Sequence, residues 1–66
     1  MSRLDSKPVD ELQLKRINNI MRAAEHLEEV IKQNCPKNYE REVALRTLEE
    51  VAMWANKAIE FEGADK

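Results

Sequence analysis

CPKNYEREVALRTLEEVAMWANKAIE, residues 35–60, decides the fold. It begins with a turn and continues as one long amphipathic helix. At roughly 100° per residue, Ala44, Leu45, Leu48, Val51, Ala52, Ala55 and Ile59 gather on one face, the inside of a helical pair. Val43, Thr47, Trp54, Ala58 and Phe61 form a second line on another face, interrupted by Glu50. A chain this short buries only one of these stripes by itself. The second, with its tryptophan and phenylalanine, predicts a covering surface, and packing against a copy of the same chain is the plainest one.

Working outward, Asn34-Cys35-Pro36 ends the preceding helix, because the residue before a proline is driven out of the helical region. Asn38 is the expected N-cap of helix two, with Glu40 and Glu42 in its first turn, where the helix dipole favours negative charge. The link is too short for anything but two adjacent antiparallel helices. Gly63 suits the position after a helix, so helix two is expected over about 38–62. Upstream, Pro8 suits a first helical position. This places the start of helix one near Lys7 or Pro8, a cap at Ser6 or Lys7, and Asp10 and Glu11 in the first turn. Helix one then runs over about 8–33. Its apolar face is Val9, Ile17, Ile20, Ala24, Leu27 and Ile31, flanked by Leu12, Ala23 and Val30. Gln13 and Arg16 interrupt that face, so the helix is expected to bend or leave the core there. Leu14 and Met21 point elsewhere and join Val43, Trp54 and Phe61 as the expected oligomer interface. The fold class is all-α: one domain over 1–66, an antiparallel two-helix hairpin assembling into a helical homo-oligomer.

The totals agree. Sixty-six residues allow one thin core. Cys35 is the only cysteine, which excludes a disulfide framework and fits a reducing cytoplasm. Association is the stabiliser left to such a chain. There is no long apolar run for a membrane span, and MSRLDSKPVDE lacks the apolar core of a signal peptide. The net charge of −2 argues against DNA or bulk electrostatic nucleic-acid binding. It leaves room for a focused basic pocket: seven of the eleven Lys and Arg lie between Arg3 and Lys37.

Catalytic chemistry has little to stand on. His26 is the only histidine, with no partner by spacing. Cys35 has Lys37 nearby but no Cys/His pairing. Glu28-Glu29 and Glu49-Glu50 read as solvated helix faces. No metal-ligand pattern appears, and Gly63, the only glycine, makes no phosphate loop. The expectation is no enzyme, no cofactor and no metal. Lys57, three residues after Trp54, would place a cation beside an aromatic plane, a pairing that suits a nucleotide.

The same segment resembles the hairpin domain of the phage anti-CBASS cyclic-nucleotide sponges and the related anti-Thoeris sponges. Pro36, the Asn38 cap, Glu40-Arg41, Val43-Ala44-Leu45, Leu48-Glu49-Glu50, Met53-Trp54-Ala55-Asn56 and Ala58-Ile59 carry the resemblance in register; Arg22-Ala23-Ala24 extends it more loosely into helix one. The resemblance implies a homo-oligomer, a hexamer in the anti-CBASS branch. It would bind cyclic di- or trinucleotide messengers between subunits in the host bacterial cytoplasm, without cleaving them, and so block a defence system. Members often carry an aromatic before the first proline in a Tyr-His-Pro-like motif, where this chain has Ser6-Lys7-Pro8. The anti-Thoeris members have further segments that this short chain lacks, which favours the anti-CBASS branch. On this reading Arg22, in the part of helix one that keeps register, is the leading phosphate ligand, because guanidinium forks suit phosphate oxygens. Lys7 and Arg3 follow, and Asn18 and Asn56 are expected to contact base edges. The alternative is a small helical bundle that binds RNA loops or another protein. Lys15, Arg16, Arg22 and Lys32 form no single stripe, which counts against RNA.

Overall fold

The computed structural model describes residues 10–62. Two helices, α1 (Glu11–Asn34) and α2 (Tyr39–Glu60), pack antiparallel as a hairpin. Among the described residues there is no strand. No helix there is long and apolar enough to cross a membrane.

α1 begins later than Pro8 suggests. Asp10 is its N-cap, in extended backbone at φ −85° and ψ 177°. Its Oδ1 accepts the Gln13 backbone N–H at 2.7 Å, while Gln13 Oε1 accepts the Asp10 N–H at 3.2 Å. This reciprocal capping box satisfies two donors that a helix start leaves open. It therefore sets the boundary at Asp10, which is the cap and not a first-turn residue. Ser6, Lys7 and Pro8, which mark the expected start, and Val9, expected on the apolar face, lie outside the described residues.

The turn follows the expected chemistry. Cys35 caps α1 in extended backbone, with its N–H on the Ile31 carbonyl at 2.8 Å. Asn34 Nδ2 donates to the Val30 carbonyl at 2.8 Å. Asn38, also extended, accepts the Arg41 N–H on Oδ1 at 2.9 Å and starts α2.

The core is thin. Ala52, Ile59 and Phe61 are the buried apolar residues. Half-buried Ile17, Ile20, Ala24 and Ile31 of α1 and Ala44, Leu45, Leu48 and Ala55 of α2 complete the inner faces. Three expectations are corrected here. Val51 and Leu27, both placed on inner faces, are 57 % and 45 % exposed. Phe61, placed on the outward stripe, is only 6 % exposed within the single chain. The helical track ends at Glu60, and Phe61 is the C-cap, so helical periodicity no longer predicts its direction.

The third correction concerns Gln13 and Arg16. They do not take α1 out of the core; they hold the end of α2. Gln13 Nε2 donates to the Ile59 carbonyl at 3.0 Å, satisfying an acceptor in the last turn of α2. Arg16 makes a two-pronged pair with Glu62, at 2.9 Å and 3.4 Å.

Candidate functional site

The described ligand candidates do not converge within one chain. Asn18 and Arg22 are four residues apart on α1, so they share one face, and both are exposed. Stepping 100° per residue puts that face on the far side of α1 from Ile20 and Ala24, away from α2. Arg22 borders a shallow hollow of about 360 Å³ with Glu25, His26, Glu29, Val30 and Gln33. Among the described residues Arg22 has no ion pair. Two carboxylates nonetheless share its hollow, so one hairpin offers an anion little net attraction there. A phosphate held by Arg22 needs further positive charge from beyond this face. Lys7 and Arg3, the other basic candidates, lie outside the described residues.

Asn56 sits elsewhere. It lines a groove of about 420 Å³ between the helices, with Met21, Ala24, Leu45, Leu48, Ala52 and Met53 as its apolar walls. Glu25, Glu28 and Glu49 also line it. Asn56 Nδ2 donates to Met21 Sδ at 3.2 Å, a weak acceptor, and its Oδ1 is buried without a hydrogen-bond partner. Three carboxylates make this groove a poor place for a phosphate. Lys32 answers one of them, with Nζ 3.4 Å from Glu28. Sequence reasoning named Asn56 and Met21 but missed that they face each other, and it missed the acidic lining. Phasing the flanks of both helices against the antiparallel pairing would have found both.

The outward line of α2 keeps Val43 and Trp54. Trp54 is 62 % exposed, and Val43, Met21 and Leu14 are exposed too. The expected Trp54–Lys57 pairing is replaced: Lys57 Nζ lies 5.8 Å from the centroid of the Phe61 ring, a cation–π contact at the end of α2.

The strongest electrostatic coupling is structural. The Arg16 hydrogen bond, then its charge, holds the Glu62 carboxyl below the usual glutamate value. The same two effects of Glu62, in the same order, raise Arg16. His26 lies midway along α1 and the exposed Cys35 at the turn, so the two form no pair. Among the described residues no group of His, Cys, Asp and Glu is placed to hold a metal ion.

No curated protein and no solved structure matches the chain. The family model of the Acb2/Tad1 hairpin domain matches residues 2–60, taking in both helices and the turn between them. The chain folds as a two-helix hairpin with nine-tenths of its sequence inside that match, and it belongs to the Acb2/Tad1 hairpin-domain family, the non-catalytic anti-CBASS and anti-Thoeris sponges.

Proposed function

We propose that this protein is a non-enzymatic sponge: it binds cyclic di- or trinucleotide second messengers and holds them intact, blocking a bacterial antiphage defence that signals through them. The observation that carries the reading is the family match over residues 2–60. The ligand is held at boundaries between copies of the chain, in a homo-oligomer that is a hexamer if this chain follows the anti-CBASS branch. Arg22 on the outward face of α1 supplies a charged fork for phosphate, and Asn18, one turn away, a base-edge contact. Because Glu25 and Glu29 share the Arg22 hollow, the remaining positive charge comes from Lys7 and Arg3, from the same chain or a neighbour. Asn56, with an unpaired amide oxygen, is the base-edge contact on α2. The exposed Trp54 and Val43 on the outward line of α2, and the exposed Met21 and Leu14 on α1, support self-association, since large apolar side chains left open to water mark an interaction site. The protein acts in the cytoplasm of the host bacterium, where the messengers are made.

Calorimetric titration with a panel of cyclic di- and trinucleotides tests the reading. Saturable binding that weakens with added salt is expected, because phosphate recognition is screened by ions. Absence of heat and of retention on a filter across the whole panel would refute it.

A further inference from the structure

His26, the only histidine of the chain, shares the Arg22 hollow. It stands four residues after Arg22, so Asn18, Arg22 and His26 follow one another at single-turn spacing along one exposed row of α1. At 1.5 Å per residue that row is about 12 Å long, enough for a ligand that carries more than one phosphate. The residues lining the hollow all belong to α1. The charged groups around His26 are Arg22, Glu25 and Glu29, and among the described residues α2 contributes none. With His26 neutral, one positive charge stands beside two carboxylates. With His26 protonated the charges balance, and both ring nitrogens become donors.

We propose that His26 is a second phosphate-binding group, acting beside Arg22 when it is protonated and idle when it is neutral. The proposal rests on the reading of this face of α1 as the anion site. Geometry supplies the pairing: side chains four apart on a helix start about 6 Å from each other, close enough to straddle one phosphate. His26 is exposed, and among the described residues its ring has no ion-pair partner, so it meets a ligand without giving up a protein contact. Charge supplies the direction. A phosphodiester is anionic throughout the neutral range, whereas histidine is the side chain that ordinarily changes charge between pH 5 and 8. An anion seated between Arg22 and His26 favours the imidazolium, so binding takes up a proton and strengthens as pH falls from 8 to 6. Glu25 and Glu29 stay ionised over that interval, so they oppose the anion equally at both ends of it.

Calorimetric titration at pH 8 and pH 6 tests this with a panel of 3′,3′-linked cyclic di- and trinucleotides of adenine and guanine, whose phosphates and bases do not titrate over that range. The parent should bind roughly fivefold tighter at pH 6 than at pH 8. At pH 7 its binding enthalpy should differ between buffers of unequal ionisation enthalpy, which reports the proton taken up. His26→Gln should lose both signatures. His26→Lys, charged at either pH, should bind tightly and equally at each. Glutamine and lysine are good helix formers at an exposed position, so circular dichroism of both variants should match the parent. Affinity that does not change with pH in the parent, or the parent's pH dependence surviving in His26→Gln, overturns the proposal and leaves the sponge reading in place. No binding by any member of the panel at either pH overturns both.

Discussion

Gln13 and Ile59 are joined across the hairpin: the side-chain amide of one, in the first turn of α1, donates to the backbone carbonyl of the other, in the last turn of α2, at 3.0 Å. The same amide oxygen closes the capping box with Asp10. One side chain thus starts one helix and finishes the other. Gln13→Ala should remove both bonds and destabilise the hairpin by about 1–2 kcal/mol. Gln13→Glu keeps an acceptor for the cap but loses the donor to Ile59, so it should recover only part of that loss. Urea unfolding of the three proteins measures it.

Acid should loosen the same end of the molecule. Glu62 titrates below its ordinary value of 4.5, so its stabilising contribution is complete above that value and fades as pH falls through the lower folded one. Arg16 is shifted upward from its ordinary value, so it stays charged and its share does not vary near neutrality. Parent and Glu62→Gln should therefore differ in melting temperature at pH 7 and converge at strongly acidic pH. Salt should narrow the pH 7 difference, since both groups are exposed. A difference that persists unchanged into acid would contradict the pairing.

Phe61 and Trp54 should respond differently to truncation. Phe61 is buried in the single chain, and Phe61→Ala should cost about 3–5 kcal/mol of hairpin stability. Trp54 is exposed there, so Trp54→Ala should leave the isolated hairpin nearly unchanged and act on assembly. Thermal unfolding at several concentrations separates the two: a concentration-dependent loss for Trp54→Ala and a concentration-independent one for Phe61→Ala.

Arg22→Ala should weaken cyclic-nucleotide binding by about 1.5–3 kcal/mol, the worth of a charge-assisted hydrogen bond, while leaving sedimentation unchanged. Because Glu25 and Glu29 line the same hollow, Glu29→Gln should tighten binding modestly. Calorimetry on the three proteins decides. Parent-like binding by Arg22→Ala would move the site off this face.

The hairpin was legible where local chemistry is strong. Asn38 after Cys35-Pro36 marks a cap that competes with no other signal, and the inner face of α2 follows from Leu45, Leu48, Ala52 and Ile59. The start of α1 was not legible from Pro8, because Asp10 and Gln13 form a stronger stop that appears only when their side chains are read as a reciprocal pair. Periodicity also misplaced Phe61, since it presumes a helix that ends one residue earlier. Leu27 and Val51 lie near the edge of each inner stripe, and a two-helix core has no third element to cover them. The site was less legible. Arg22 and Asn18 share a face by simple spacing, but the carboxylates around Arg22, and the groove joining Asn56 to Met21, depend on which flanks the antiparallel packing brings together.

The central claim is capture without turnover. The direct measurement is to saturate the purified protein with a cyclic nucleotide it binds, remove free ligand by filtration, denature the protein by heat and identify what is released. Release of the intact cyclic nucleotide, in a fixed ratio to protein, is the predicted result. Recovery of a linear or hydrolysed product, or of no nucleotide from any member of the panel, would contradict the account.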